Sequence, residues 1–142
     1  MPGGGQACFA VRVRDLVGRV SSWSSWRSTA VPFDDRASTR SSGGSTLVSR
    51  AEALGGTLTR LTATGTLRLP NAVARHVGVC LLADPSQGSV DVLVGGVRVA
   101  HVYLAAASWQ RRVVVLPVRT GTVVLRAATG AALIDGVVLL RN

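Results

Sequence analysis

The run SVDVLVGGVRVAHVYL at residues 89–104 restricts the possible folds of this chain more than any other segment. Valine occupies every second position on both sides of Gly95-Gly96, which is typical of two half-buried strands. A glycine pair between such strands suits a two-residue hairpin turn that needs positive φ. The alternation then changes phase near Ala100-His101, which predicts a β-bulge there. With that bulge, four side chains share one exposed face of the hairpin: Asp91, Arg98, His101 and Tyr103.

Short runs of the same kind follow one another from Thr46 to the end of the chain, separated by glycine, proline or asparagine turns. Such spacing, with almost no helical periodicity, indicates an all-β fold, an antiparallel β-sandwich or jelly roll over residues 46–142. The predicted strands are 46–50, 57–62, 66–69, 75–83, 89–94, 97–104, 111–118, 122–127 and 132–140.

Residues 1–33 predict a separate β-hairpin, because their apolar residues alternate before a turn at Gly18 and a second apolar stretch follows it. A lone hairpin is marginal in water. We therefore expect it either to be poorly ordered or to shelter Trp23 and Trp26 against the sandwich.

Residues 34–45 replace apolar side chains by Ser, Gly, Asp and Arg, which is typical of a linker. On this interpretation, a truncation that removes residues 1–40 leaves a folded domain.

The charge balance narrows the classes of partner. The chain has 16 basic and 7 acidic residues, a net charge of +9, and all its basic residues are arginines. They are scattered and form no stripe with interleaved aromatic residues, so nucleic acid is not a predicted partner. For any polymer ligand, the positive charge favours an acidic one. No apolar run reaches the roughly 18 residues of a membrane-spanning helix, so membrane insertion is not predicted.

The sequence contains no recognisable catalytic constellation. A GxSxG elbow and a convincing carboxylate pair are both missing, so no enzyme activity is predicted. Asp91 and His101 can meet across the hairpin, where a surface ion pair explains them better than a catalytic triad. Asp34 and Asp35 suggest half of a calcium site, but a solvated turn is the preferred interpretation. No metal and no cofactor is therefore predicted.

The best candidate ligand site combines the exposed hairpin face with an aromatic residue of the next connection. Trp109 lies in the polar stretch AASWQRR between two predicted strands. A sugar has apolar C–H faces and polar hydroxyls, so its site needs both kinds of side chain. We predict Trp109 and Tyr103 as the apolar platform, with Arg98, His101 and Asp91 as the polar rim. In the alternative interpretation, Trp109 covers an open end of the sandwich core.

The segment CFAVRVRDLVGRVSSWSSW at residues 8–26 resembles the last two strands of a fibronectin type III domain. Some bacterial members of that family carry a cysteine in each strand; Cys8 fits the first, but Ser28 stands where its partner is expected. The sequence leaves open whether Cys8 and Cys80 are bonded. A complete domain of this family needs about seven strands, so the resemblance implies the C-terminal end of a longer protein.

Residues 46–142 resemble a β-sandwich repeat of secreted actinobacterial proteins, related in outline to carbohydrate-binding jelly rolls. The motifs that carry the resemblance are GSVDVLVGGVRVAHVYL, RRVVVLPVRTGTVVLRAATG and IDGVVLL. The N-terminus is not a signal peptide, because it lacks a basic segment and a continuous apolar one. The resemblance nevertheless implies an extracellular or cell-surface location.

Three functions are compatible with these features. The favoured one is a non-catalytic structural or spacer module at the end of a larger secreted protein, with the other domains of that protein as partners. The alternative is a module that binds an extracellular polysaccharide or cell-wall polymer. The third is an accessory domain of a hydrolase.

Overall fold

The computed structural model describes residues 6–72, 76–116 and 120–140. This part of the chain is almost entirely antiparallel β-structure, which confirms the predicted all-β fold. Among the residues described, no helix is long and apolar enough to cross a membrane. The strands are β1 (Gln6–Phe9), β2 (Arg27–Ala30), β3 (Phe33–Asp34), β4 (Thr39–Arg40), β5 (Ser45–Ser49), β6 (Thr57–Leu61), β7 (Thr66–Ala72), β8 (His76–Ala83), β9 (Ser89–Val94), β10 (Val97–Tyr103), β11 (Gln110–Leu116), β12 (Gly121–Thr129) and β13 (Ala132–Leu140).

Two sheets form a sandwich around the main apolar core, and a smaller buried cluster is formed by Leu58, Leu82 and Leu133. The first sheet has the strand order β10-β9-β12-β7-β4, and the second has the order β11-β8-β13-β6-β5, with β3 also paired to β13. Alternate residues of both sheets point inward and exclude water from the main cluster. Its most deeply buried members include Leu61, Leu67, Val77, Val79, Leu81, Val90, Val92, Leu104, Val123, Leu125 and Ile134.

The predicted strands from 46–50 to 132–140 all correspond to observed strands, β5 to β13. Their bounds agree to within three residues, although positions 75 and 117–118 of the predictions lie outside the described residues. Strand alternation and glycine turns were therefore sufficient to locate these elements.

The β9–β10 hairpin closes as its glycine pair predicts. Gly95 and Gly96 have φ values of 58° and 81°, which a two-residue turn of the primed type requires. The pairing then passes from Arg98↔Leu93 to Ala100↔Val92, so Val99 is the extra residue of a bulge. The bulge lies one residue before the predicted position and restores the inward phase for the rest of β10.

Residues 34–45 are not the predicted linker. β3 pairs with β13 and β4 pairs with β7, and a 3₁₀ turn joins these two short strands. Asp35 is fully buried and accepts hydrogen bonds from the hydroxyls of Thr57 at 2.9 Å and Thr59 at 2.7 Å. The polar composition was misleading because these groups satisfy one another inside the protein. Pairing with the sandwich begins at Phe33.

β1 and β2 form the predicted N-terminal hairpin, a two-stranded sheet separate from the sandwich sheets. Its turn is fixed by Asp15, whose Oδ1 accepts hydrogen bonds from the backbone N–H groups of Val17 and Arg19 at 3.1 and 2.8 Å. Trp23 and Trp26 are 60% and 75% exposed. The sandwich therefore does not shelter them, and the expectation that they pack against it is wrong.

Cys8 lies directly opposite Ser28 in the β1–β2 register, at the position where the fibronectin resemblance places a second cysteine. Both cysteines are free thiols: Cys8 is exposed, whereas Cys80 is buried in β8.

Candidate functional site

The outer face of the first sheet is organised around Asp91. Val90, Val92 and Val94 point into the core, so Asp91 points the other way, into the layer of side chains that covers this face. β9 lies between β10 and β12, and the residues directly opposite Asp91 on these two strands are His101 and Arg126. Residues opposite each other in an antiparallel sheet have neighbouring side chains, so the strand order itself assembles the group.

Both carboxylate oxygens of Asp91 accept a hydrogen bond, Oδ1 from His101 and Oδ2 from Arg126, while Arg98 makes a longer ion pair. Its Oδ1 lies 2.7 Å from His101 Nδ1 and 3.8 Å from Arg98 Nη1. Its Oδ2 lies 3.2 Å from Arg126 Nη2 and 3.4 Å from Arg126 Nε. We call Asp91, Arg98, His101 and Arg126 the Asp91 cluster.

The Asp91 cluster presents positive charge outward. Asp91 is only 4% exposed, whereas the side chains of Arg98 and Arg126 are more than half exposed. The hydrogen bond from His101 and the two guanidinium groups outweigh burial and hold the pKa of Asp91 below its ordinary value. One ionised carboxylate therefore anchors two exposed cations, and the excess charge faces solvent.

The sequence predicted the correct face for these residues but the wrong exposure for Asp91. It is buried because three longer side chains close over it. Arg126 was missed entirely, since β12 is distant in sequence from the β9–β10 hairpin. Only the strand order places Arg126 beside Asp91, and no local pattern in the sequence carries that information.

Tyr103 extends the Asp91 cluster toward the end of β10. Its side chain is 71% exposed, and its ring meets the His101 imidazole edge-on, with centroids 4.8 Å apart. Its backbone carbonyl accepts a hydrogen bond from Arg112 Nη1 at 3.0 Å, which ties β10 to β11 of the second sheet. The phenol thus stands on a fixed backbone beside the polar cluster.

Trp109 stands apart from this arrangement. It is 47% exposed and directly precedes β11 in the second sheet. Among the described contacts, none joins its indole to Tyr103 or to the Asp91 cluster. Its place in a shared platform stays a prediction.

Three other carboxylates lie in β13, in β3 and in the turn between β3 and β4, and each is engaged by protein groups. Asp135 contacts Arg111 Nε at 3.1 Å and accepts the backbone N–H of Leu54 at 2.7 Å. Asp34 pairs with Arg36 Nε at 3.0 Å. Asp35 is fully buried and bonded to Thr57 and Thr59, so the solvated turn expected there is wrong. This burial raises the pKa of Asp35. Within the described ranges, no group of three or more His, Cys, Asp or Glu side chains could hold a metal ion.

A second candidate surface, which is apolar, lies on the N-terminal hairpin. Phe9, Ala10, Trp23 and Trp26 line a cavity of about 440 Å³, and the Arg12 guanidinium lies over the Trp23 ring, 4.7 Å from its centroid. We call this surface the hairpin groove.

Comparison with known proteins yields fold relatives only. No family profile and no curated protein sequence matches the chain. An exo-β-1,3-galactanase from Phanerochaete chrysosporium aligns with a TM-score of 0.63 at 18% identity, covering 81% of this chain. The match takes in 30% of the galactanase chain, so it concerns one part of that enzyme.

Two carbohydrate-binding modules match over most of their own length. The CBM36-1 domain of a multidomain xylanase from the hindgut metagenome of Trinervitermes trinervoides aligns with a TM-score of 0.55 at 17% identity, covering 75% of this chain and 92% of that chain. The CBM6-3 module of Clostridium stercorarium, solved with cellobiose, aligns with a TM-score of 0.51 at 14% identity, covering 73% and 87%. The β-sandwich is thus a fold that carbohydrate-binding modules share.

Proposed function

We propose that this chain is a carbohydrate-binding module whose ligand face is the outer surface of the first sheet. The observation that carries the proposal is the Asp91 cluster, a set of polar donors held by a buried carboxylate next to the exposed ring of Tyr103. The fold shared with carbohydrate-binding modules supports this function over the spacer role that the sequence favoured.

The chemistry of the face suits a sugar. The ring of Tyr103 offers a flat apolar surface for C–H groups, and its hydroxyl can donate and accept hydrogen bonds. Arg98 and Arg126 supply N–H donors to ring and hydroxyl oxygens. A site of this kind needs few polar groups, provided that their positions are fixed.

Asp91 acts in this proposal as a positioning residue. It is too deeply buried to contact a polymer, but it fixes His101 and Arg126 from below. A side chain that is already held loses less rotational freedom when it binds, and an immobilised flexible side chain otherwise costs about 0.5–1.5 kcal/mol.

A glycan array with matched variants tests the proposal. We expect the wild type to bind one or more glycans and Tyr103→Ala to weaken that binding about tenfold, which corresponds to about 1.4 kcal/mol. Trp26→Ala is the matched control, because it removes an exposed aromatic ring from the hairpin groove instead. Trp109→Ala determines whether that indole belongs to the platform. Binding to no glycan, or equal loss in Tyr103→Ala and Trp26→Ala, contradicts the proposal.

The spacer role remains the second candidate, favoured by the exposed apolar surface of the N-terminal hairpin. A surface that holds Phe9, Trp23 and Trp26 together suits contact with a neighbouring domain. In that case the module would work within a larger extracellular protein, and the glycan array would show no binding.

A further inference from the structure

We propose that the outer face of the first sheet selects glycans that carry an oxyanion, such as the carboxylate of a uronic acid or a backbone phosphate, and that Arg126 and Arg98 read this group. The inference rests on the proposed carbohydrate binding and adds the ligand class.

Cations dominate this face. Asp91 is the only acidic residue in the five strands of the sheet, β4, β7, β9, β10 and β12. Arg68 lies on the same side as the Asp91 cluster, because its neighbours Leu67 and Leu69 point into the core. The cations of the face are therefore three arginines, Arg68, Arg98 and Arg126, against one buried carboxylate.

The contacts to Asp91 leave donors available on both guanidinium groups. A guanidinium carries five N–H donors in a planar fork. Arg126 approaches Asp91 with Nε and Nη2, and Arg98 approaches it with Nη1 at 3.8 Å. The remaining N–H groups lie on side chains that are more than half exposed. Such forks bind carboxylate and phosphate oxygens in pairs, which gives shorter and stronger hydrogen bonds than those to neutral hydroxyls.

Local charge on this face matters more than the net charge of +9. At physiological ionic strength the screening length is about 8 Å, so arginines scattered over other surfaces act only weakly on a ligand bound here. The side chains within contact range decide the preference. Arg126 is also held by hydrogen bonds to Asp91, whereas a lone surface arginine is not held in this way.

A pair of polymers that differ only in charge tests the inference. Polygalacturonate and its fully methyl-esterified form share one backbone, and only the first carries carboxylates. Affinities are measured at physiological salt for the wild type, Arg126→Gln, Arg98→Gln and the control Arg60→Gln. Arg60 is an exposed residue of β6 in the second sheet, so its substitution removes the same charge from the opposite layer. A poly(glycerol phosphate) arm separates a phosphate preference from a carboxylate preference.

We expect the wild type to bind the charged polymers at least tenfold more tightly than the ester. Arg126→Gln should remove most of that preference, Arg98→Gln should reduce it, and Arg60→Gln should stay within about twofold of the wild type. Circular dichroism establishes that each variant is folded. Arg98 has the longer contact to Asp91, so Arg98→Gln is expected to disturb the fold less than Arg126→Gln. If Arg126→Gln unfolds, Arg98→Gln still tests the anion preference.

Each other outcome overturns the inference. Equal affinity for the charged polymer and the ester refutes the anion preference and leaves carbohydrate binding intact. Equal losses of affinity in Arg126→Gln and Arg60→Gln show a diffuse charge effect, in which the Asp91 cluster does not bind the anion specifically. Failure to bind any of these polymers, while the glycan array shows a neutral ligand, refutes the ligand class alone; failure on both refutes the proposed function as well.

Discussion

Apolar residues alternate in both the N-terminal hairpin and the sandwich, but they are exposed in the first and buried in the second. Val11 and Val13 in the hairpin are 58% and 69% exposed, whereas Val92 in β9 is completely buried. Val11 and Val13 lie in no strand, because β1 ends at Phe9. Alternation therefore indicates which residues share a face, but it does not by itself produce a strand. Burial requires a second sheet on that face, and among the described residues only the sandwich provides one.

The hairpin groove and the Asp91 cluster differ in how firmly their side chains are held. The hairpin groove is lined by apolar side chains, and its one described cation contact is the stacking of Arg12 on Trp23. The Asp91 cluster instead holds its cations through a buried carboxylate, which limits their motion before any ligand arrives. A fixed arrangement of polar groups distinguishes a binding site from an open apolar surface.

The largest difference in stability between the two regions is expected from truncation of the chain. Removing residues 1–30 should leave a cooperatively unfolding sandwich, because this segment lies outside its two sheets. Removing residues 1–40 also deletes β3, β4 and Asp35. The hydroxyls of Thr57 and Thr59 are then left without their acceptor. We expect that deletion to cost on the order of 4 kcal/mol. Urea denaturation of both truncations measures the difference, and equal stability would show that β3, β4 and Asp35 are dispensable.

Core truncation should produce the next largest effect. Leu125 is 1% exposed, and Leu125→Ala should cost about 3 kcal/mol through lost burial and a residual cavity. Val11→Ala in the hairpin should change the free energy of unfolding by less than about 0.5 kcal/mol. A comparable loss at Val11 would mean that the hairpin valine packs against a surface, which would remove the contrast between the regions.

Two buried carboxylates should give opposite pH dependences. The pKa of Asp91 is lowered, so its contribution to stability is present above the ordinary aspartate pKa of about 4 and is lost as the pH falls. The pKa of Asp35 is raised, so its ionisation reduces stability as the pH rises through that region. The Tm gap between wild type and Asp91→Asn should widen with rising pH, and the gap to Asp35→Asn should narrow. Parallel profiles would contradict these assignments.

The smallest effect is expected at the hairpin groove. Trp26 is 75% exposed, so Trp26→Ala should alter stability by no more than about 0.5 kcal/mol. Chemical denaturation monitored by circular dichroism provides the measurement, since the variant loses a fluorophore. A loss above 2 kcal/mol would show that the indole is part of a packed interface.

The sequence was sufficient to predict the local structure of the β9–β10 hairpin, but it could not predict which strands lie next to one another in the sheets. The turn at Gly95-Gly96 and the bulge in β10 depend on neighbouring residues, so periodicity revealed them. The pairing of Arg126 with Asp91 depends on β12 lying next to β9, which no local pattern encodes.

The polar composition of residues 34–45 predicted a solvated linker, although some of these polar groups are hydrogen-bonded inside the protein. Asp35 stands in a stretch rich in Ser, Asp and Arg, and the sequence predicted a solvated linker. Thr57 and Thr59 reach it from a different strand, so the buried hydrogen bonds become visible only in three dimensions. The same reason explains Asp91, whose burial results from side chains on two flanking strands.

A titration followed by NMR tests the central claim most directly, because it compares both surfaces in one experiment. Polygalacturonate oligosaccharides are added to the labelled chain, and amide, arginine side-chain and indole signals are recorded. We expect shifts at Asp91, His101, Tyr103 and Arg126, with the indole signals of Trp23 and Trp26 unchanged. Shifts confined to those two indoles, with the signals of the Asp91 cluster unchanged, would place binding in the hairpin groove and refute binding at the first sheet.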